Sequence, residues 1–306
     1  MVDRRAHLIF NPAAGRGDSE AELTRIREKL EASGIRVSLH PTEPDVPIAR
    51  TVRAALQSME GGAGEERGGG EFFIAAGGDG TVSGVAGSLL DTGIPLGVIP
   101  QGTANSFARA LEIPANVDGA LEIIAGGRTR RVDAGRGSRG PMVLMAEIGL
   151  GASMVADARR ADKDRFGPLA YLWTGAQHMG EQESFRARLD AEELETELEL
   201  NALTVANVAP TTSLFAQGCG EVIPDDGSFE VTLSSGDEVG LGEVASLLAS
   251  AIRKSASSAD NILCFRSANL QVSTDPPQTV VIDGEKRGTT PVDFTCAPRV
   301  LDVLVP

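Results

Sequence analysis

Short apolar runs alternate with amphipathic segments over about the first 130 residues of the chain. Four runs are rich in β-forming residues and are bounded by Pro or Gly, which predicts strands at residues 7–10, 35–39, 72–76 and 96–99. Leu23, Ile26 and Leu30 recur at helical spacing after the first run, and Gly34 marks the end of that predicted helix. This alternation is typical of a mainly parallel sheet covered by helices.

After Arg131 the pattern changes to one strand after another, with turn residues between them. The exceptions are two predicted helices, around residues 168–179 and 241–255. In residues 193–200, Glu alternates strictly with apolar residues, which predicts a half-exposed strand although Glu favours helices. We therefore predict an α/β domain over residues 1–131 and a mostly antiparallel β domain over residues 132–306.

Charge and cysteine content exclude several classes of protein. The 306 residues carry 28 Lys and Arg against 43 Asp and Glu, a net charge of −15, and no Lys/Arg run exceeds two residues, which argues against nucleic-acid binding. The longest apolar stretches, such as residues 142–146, fall far short of the roughly 18 to 20 residues that cross a bilayer. Three widely spaced cysteines without a C-x-x-C pair fit a reducing cytoplasm.

The strongest local signal is the sequence Gly77-Gly78-Asp79-Gly80-Thr81, which lies between a predicted strand and a predicted helix. Glycines let the backbone approach a ligand closely, and the free N–H groups of a helix start bind phosphate. A carboxylate facing phosphate requires a metal ion between them, so Asp79 indicates a nucleotide triphosphate with Mg²⁺. The alternative is a tight turn without a ligand.

Two further loops, at residues 11–17 and 100–105, also follow predicted strands. In an open α/β sheet, ligands gather at the carboxyl ends of the strands, so three such loops are expected to line one crevice. Neither the Walker A pattern nor G-x-G-x-x-G occurs in these loops. This argues against a P-loop enzyme and against an ordinary Rossmann dehydrogenase.

Taken together, these motifs resemble the catalytic domain shared by bacterial diacylglycerol kinases, other soluble lipid kinases, sphingosine kinases and ceramide kinase. The resemblance covers nearly the whole chain and implies an N-terminal α/β nucleotide-binding domain, then a C-terminal antiparallel β-sandwich, with the active site in the cleft between them. The motifs, in the family's order, are Asn11-Pro12 with Gly15, Gly77-Gly78-Asp79-Gly80-Thr81, Gly102-Thr103-Ala104-Asn105-Ser106-Phe107-Ala108, Pro224-Asp225-Asp226-Gly227 and Asp283-Gly284-Glu285.

Carried over position by position, the resemblance implies a set of site residues. The ATP contacts are Asn11, Pro12, Ala13, Ala14, Gly15, Thr42, Gly77, Gly78, Asp79, Gly80, Thr81, Val82, Ser83 and Thr103. Asp79 lies near the catalytic Mg²⁺, and Glu285 is the proton acceptor. Asp226 binds a structural Mg²⁺ beside the backbone carbonyls of Ile223 and Ser228. From the residues alone, Asp226 fits an Asp-Gly hairpin turn equally well, and Glu285 fits an ordinary exposed residue of a hairpin at residues 281–287.

The expected activity is an ATP- and Mg²⁺-dependent lipid kinase that phosphorylates a hydroxyl of diacylglycerol or a related lipid alcohol. One alternative is a NAD kinase-like enzyme, whose family shares the glycine loop; that family's Asn-Glu pair is not found in this sequence. Another is a non-catalytic nucleotide or lipid sensor, because Gly84 and Ser106 stand where many relatives carry acids.

The lipid partner would be drawn from a membrane into an apolar slot in the second domain. Candidate residues for the slot, which fit plain core packing as well, are Met142, Val143, Leu144, Phe166, Leu169, Tyr171 and Trp173. A net charge of −15 argues against electrostatic binding to anionic membranes. We therefore expect a cytoplasmic protein, monomer or homodimer, that contacts membranes transiently through apolar residues.

Overall fold

The structure is a computed structural model that describes residues 4–12, 19–60, 70–149, 184–192, 194–209, 222–235 and 262–306. It divides into two compact units. The first consists of Met1–Val132 together with Arg299–Pro306, and the second of Asp133–Pro298. The sequence analysis placed residues 132–306 in the second domain; the compact units differ from this division at Val132 and at Arg299–Pro306, which belong to the first unit.

Strands and helices alternate in the first unit, as the hydrophobic pattern predicts. The elements are β1 (Arg4–Phe10), α1 (Ser19–Ala32), β2 (Ile35–Pro41), α2 (Ile48–Glu60), β3 (Glu71–Gly77), α3 (Asp79–Leu89), β4 (Leu96–Pro100), α4 (Ser106–Ala110) and α5 (Val117–Gly126). A further strand, β5 (Thr129–Arg136), begins in this unit and ends in the second. The four predicted strands are confirmed, each within three residues of its expected ends.

The sheet of the first unit is parallel, in the order β2-β1-β3-β4. Leu8 of β1 lies opposite Leu39 on one side and Ile74 on the other. The inner strands are apolar on both faces, which suits a sheet covered by helices on both sides. The last residues of the chain extend this sheet, because Val303 pairs in parallel with Leu96.

The second unit consists mainly of antiparallel strands. They are β6 (Met145–Gly149), β7 (Phe185–Ala191), β8 (Leu194–Leu200), β9 (Ala202–Ala206), β10 (Phe229–Ser234), β11 (Ile262–Ser267), β12 (Asn269–Asp275), β13 (Thr279–Ile282), β14 (Glu285–Thr289) and the first part of β15 (Val292–Leu304). The two helices predicted around residues 168–179 and 241–255 lie outside the described residues.

Two antiparallel sheets enclose the core of the second unit. One has the order β11-β10-β9-β6-β13-β14, and the other contains β8, β7, β12 and the first part of β15. Ile148, Val205 and Val231 contribute from the first sheet, and Leu189 and Leu198 from the second. This confirms the predicted α/β domain followed by an antiparallel β-sandwich.

Strand β8 confirms the reading of the acidic stretch as a half-exposed strand. Leu194, Leu198 and Leu200 are buried, whereas the glutamates that alternate with them are exposed. Exposed glutamates form ion pairs with Arg186 and Arg188 on β7. The strand therefore has one solvated face and one core face.

Within the ranges that the structure describes, none of the helices has the length and apolar character needed to span a membrane.

Candidate active site

The carboxyl ends of the strands in the first unit are joined by backbone hydrogen bonds. Thr42, which follows β2, donates its N–H to the carbonyl of Phe10 at 2.8 Å. Asn11, which follows β1, donates its N–H to the carbonyl of Ala76 at 3.2 Å. The structure therefore brings the predicted contact residues Thr42 and Asn11 to the edge at which the glycine loop begins.

The two glycine loops of this edge touch through their backbones. Gln101 donates its N–H to the carbonyl of Gly77 at 2.9 Å. A Cβ atom placed on Gly102 would lie 2.6 Å from the Cα of Gly78, closer than real Cβ contacts. Only glycine at position 102 permits this approach, so the loops after β3 and β4 form one continuous surface.

Asn105 fixes the shape of the second loop. Its backbone adopts the left-handed conformation, with φ of 50°. Its side-chain Oδ1 accepts the N–H of Gly102 at 2.8 Å, and its Nδ2 donates to the carbonyl of Gly102 at 2.9 Å. Sequence reasoning assigned this residue no role, although Asn is the residue other than Gly that most readily tolerates this conformation.

Helix α3 begins directly at the glycine loop. Gly78 is its N-cap, and among the described residues no side chain caps this end. Backbone N–H groups in the first turn of a helix have no acceptor within the helix, and they attract anions. The carboxylate of Asp79, the first helical residue, accepts the N–H of Phe107 at 3.2 Å, which ties it to α4.

The remaining predicted contacts of the glycine loop lie in the first two turns of α3. Thr81, Val82 and Ser83 are buried, whereas Gly80 is exposed. The hydroxyl of Ser83 finds no hydrogen-bond partner within the described part of the chain. Predicted contacts Ala13, Ala14 and Gly15 lie outside the described residues.

Two cavities open at this edge of the sheet. The first, about 200 Å³, is lined by residues that include Asn11, Pro12 and Ala76. The second, about 410 Å³, is lined by Gly102 and the predicted contact residue Thr103, among others. Glu22 of α1 and Gln101 line both cavities, and Gln101 donates to the Glu22 carboxylate at 3.2 Å. The edge therefore has space for a ligand beside the glycine loops.

In the second unit, Glu285 stands on a two-residue hairpin. Asp283 and Gly284 have φ of 50° and 76°, the positive values that a tight turn between paired strands requires. Glu285 follows directly, with its side chain half exposed, and its carboxylate forms an ion pair with the guanidinium of Arg287 at 2.9 Å. The predicted hairpin at residues 281–287 is confirmed, and it presents this carboxylate to solvent.

The side chain of Asp283 anchors that hairpin. Its carboxylate is partly buried and accepts three successive backbone N–H groups, from Val143 at 2.8 Å, Leu144 at 2.8 Å and Met145 at 3.1 Å. Burial raises the pKa of Asp283 to about 6, against the opposing effect of these hydrogen bonds. Sequence reasoning included Asp283 in a motif without finding this role, because the N–H groups lie about 140 residues away.

The residues proposed for a lipid slot are only partly described. Met142, Val143 and Leu144 are buried, with side chains at most 5% exposed. Their burial fits the core-packing alternative. Phe166, Leu169, Tyr171 and Trp173 lie outside the described residues.

The turn at residues 223–228 contains Asp226, for which a structural Mg²⁺ was predicted. Its carboxylate accepts the N–H of Ser228 at 3.1 Å and pairs with the guanidinium of Arg266. The backbone carbonyls of Ile223 and Ser228 remain predicted ligands. Over the residues that are described, no cluster of three or more His, Cys, Asp or Glu side chains could hold a metal ion.

Comparison with known proteins agrees with this architecture. The model of the diacylglycerol kinase catalytic domain matches residues 5–136, and that of the YegS C-terminal NAD kinase beta sandwich-like domain matches residues 146–305. Uncharacterized protein sll0036 of Synechocystis sp. is 43% identical over 99% of this chain and 70% of its own length.

One further sequence relative and one solved structure of the same fold are named as diacylglycerol kinases. A diacylglycerol kinase of Staphylococcus aureus (strain MRSA252) is 28% identical over 99% of this chain and 93% of its own length. The crystal structure of a diacylglycerol kinase from Bacillus anthracis str. Sterne superposes with a TM-score of 0.72 at 19% identity, covering 100% of this chain and 98% of that one. On the match of both domain models in sequence order, this chain belongs to the diacylglycerol kinase family, a family of lipid kinases.

Proposed function

We propose that this protein transfers the γ-phosphate of ATP, in the presence of Mg²⁺, to a hydroxyl of diacylglycerol or a related lipid alcohol. The observation that carries this proposal is the contact of the two glycine loops at the carboxyl edge of the parallel sheet. There the uncapped start of α3 and the cavities beside Asn11 and Thr103 lie together. Family membership supports a kinase that acts on a lipid.

The first unit would bind the phosphates. The backbone N–H groups of Asp79 and Gly80, at the start of α3, would donate to phosphate oxygens, whereas those of Thr81 and Val82 already donate to the carbonyl of Gly78. The unpartnered hydroxyl of Ser83 supports the presence of a polar ligand near this helix. Asp79, held in place by the N–H of Phe107, is the residue that would bind Mg²⁺. When bound, Mg²⁺ neutralises part of the charge of the phosphates.

The second unit would supply the base. Glu285 is a half-exposed carboxylate on a hairpin that Asp283 fixes through three backbone hydrogen bonds. A carboxylate on such a rigid support can accept the proton of an alcohol as the alcohol attacks phosphorus. Arg287 pairs with Glu285 and holds its carboxylate on one side of the strand.

We further propose a cytoplasmic location with transient membrane contact. A net charge of −15 opposes electrostatic attraction to anionic lipids, so contact would depend on apolar residues. The expected behaviour is a protein that purifies without detergent and phosphorylates lipid presented in vesicles or mixed micelles.

The test is transfer of labelled γ-phosphate from ATP and Mg²⁺ to a panel of diacylglycerol, monoacylglycerol, sphingoid bases, phosphatidylglycerol, polyprenol and NAD. The wild type should label a lipid. Glu285→Gln should lower kcat by about 10²-fold or more while ATP still binds, and Asp79→Asn should lower transfer as well. Glu197→Gln and Asp45→Asn, at exposed positions, serve as matched controls and should retain full activity.

Three results would contradict the proposal. Label in NAD and in none of the lipids would identify a NAD kinase-like enzyme. Tight ATP binding without transfer to any acceptor or to water would indicate a sensor. Full lipid kinase activity in Glu285→Gln would show that Glu285 is not the general base.

A further inference from the structure

The turn before β10 carries the carboxylate for which the family resemblance predicts a structural Mg²⁺. In the structure both oxygens of the Asp226 carboxylate accept hydrogen bonds from the protein. Oδ1 accepts the N–H of Ser228 at 3.1 Å, and Oδ2 pairs with the guanidinium of Arg266. The cation that neutralises Asp226 is therefore a side chain of the protein itself.

Arg266 reaches Asp226 from a fixed position in the sheet. It lies on β11 directly opposite Glu230 of β10 in the antiparallel register. Its Nε donates to Oε2 of Glu230 at 2.8 Å, and the side chain of Glu230 is only 3% exposed. A positive partner offsets the cost of burying a carboxylate, and the planar guanidinium has donors for two carboxylates at once. One arginine thus joins a strand carboxylate to a turn carboxylate.

The other side of the turn is held by Asp133 of β5. Its backbone N–H donates to the carbonyl of Pro224 at 2.7 Å, and its carboxylate accepts the N–H of Gly227 at 2.7 Å. The turn is therefore fixed to two different strands by direct contacts. A divalent ion bound to Oδ2 of Asp226 would lie beside the guanidinium of Arg266, and the two positive charges would repel each other.

We propose that Arg266 takes the place of a structural divalent cation in this protein. The guanidinium binds the carboxylates of Asp226 and Glu230 together and fixes the turn at residues 223–228 to β10 and β11. The second unit therefore folds and stays folded without Mg²⁺. This inference concerns stability alone, and it is independent of any Mg²⁺ that accompanies a nucleotide in the first unit.

The test is thermal unfolding of the full chain without nucleotide, first in EDTA and then during titration with MgCl₂. The wild-type Tm should be the same in both conditions. Arg266→Gln should lower the Tm by about 5 °C or more, since two carboxylates, one of them buried, lose their cation. Arg266→Lys keeps the positive charge but cannot bind two carboxylates through one planar group. Its Tm should therefore fall less than that of Arg266→Gln. Arg188→Gln, which removes an exposed pair with Glu195, is the matched control and should leave the Tm nearly unchanged.

A wild-type Tm that falls in EDTA and is restored saturably by Mg²⁺ would overturn the proposal. So would one equivalent of divalent metal found by elemental analysis after exhaustive dialysis, or an Arg266→Gln variant as stable as the wild type. If Arg266→Gln does not fold, two measurements still test the proposal: the Tm of the wild type with and without EDTA, and the Tm of Arg266→Lys. Because no nucleotide or lipid is present, these results are separate from any result on phosphoryl transfer.

Discussion

The carboxylate of Asp283 accepts the backbone N–H of Leu144 at 2.8 Å and thereby ties the hairpin of Glu285 to a segment about 140 residues earlier in the chain. Two neighbouring N–H groups, of Val143 and Met145, bind the same carboxylate. The orientation of Glu285 thus depends on a residue two positions before it. Asp283 acts on the hairpin through the backbone.

Replacement of Asp283 by Ala should destabilise the second unit by about 3 kcal/mol, because three partly buried backbone N–H groups lose their acceptor. Asp283→Asn should reduce the stability less, since its amide oxygen can still accept some of these three N–H groups. Both variants should lose lipid phosphorylation more than they lose ATP binding. Chemical denaturation and a nucleotide binding assay measure the two effects. Asp190→Asn, an exposed position on β7, is the control; equal losses in it and in Asp283→Asn would refute this role.

Gly102→Ala should separate the two glycine loops. The new Cβ would lie 2.6 Å from the Cα of Gly78 and 2.9 Å from Oδ1 of Asn105, so the backbone must move. We expect a loss of about 1–3 kcal/mol in stability and weaker nucleotide binding. Thermal unfolding and ATP titration test this. In Gly126→Ala the Cβ meets no atom within 4 Å, so that variant should be unaffected in both assays; a normal ATP affinity in Gly102→Ala would contradict the prediction.

His7 should make the first unit sensitive to acid. Burial, followed by the neighbouring His40 and Arg5, lowers the pKa of His7 from 6.5 to about 4. The unfolded state therefore binds the proton more readily, and the stability from neutral His7 is complete above about pH 6.5 and is lost as the pH falls toward 4. Between pH 7.5 and 5 the loss should be about 2 kcal/mol.

The measurement is the free energy of unfolding across that pH range, in the wild type and in His7→Phe. The replacement keeps a ring against Phe73, whose centroid is 5.1 Å away, and it removes the titrating group. His40, with a pKa that burial also lowers, stays in both proteins, so the variant removes the titration of His7 together with its coupling to His40. Identical pH dependence in the two proteins would show that His7 does not carry the effect.

Arg4→Gln should destabilise the first unit at the end of α5. The Arg4 guanidinium donates to the carbonyls of Ala125 and Ile124, each at 2.8 Å, and lies 5.0 Å from the ring centroid of Phe72. Loss of these contacts should cost about 1–3 kcal/mol in the free energy of unfolding. Arg5→Gln removes a more exposed ion pair and should cost less than about 1 kcal/mol. Equal costs in the two variants would contradict this assignment.

The sequence pattern predicted those features that depend on local periodicity. The strand at Leu194–Leu200 follows from alternation of buried and exposed positions, and the turn at Asp283 and Gly284 from the conformations these residues allow. The glycine loop of α3 was recognisable because its signal is contiguous in the chain.

The features that the sequence did not reveal depend on partners far away in the chain. Arg266 was not singled out, because its carboxylates become neighbours only when β10 and β11 pair. Asn105 acts on Gly102 within one loop, but its importance depends on the approach of Gly78 from another. Val303 pairs with Leu96 across more than 200 residues, and no local pattern encodes such a pairing.

The return of the last residues to the first unit has a consequence for the order of folding. Asp91 donates its N–H to Val300 at 2.8 Å, and Val305 donates to Arg128 at 3.0 Å. During synthesis, the first 132 residues leave the ribosome long before these partners exist. The first unit would keep an open strand edge at β4 until residues 299–306 have been made, whereas the second unit can fold before them. The first unit would therefore be complete only after the whole of the second unit has been synthesised.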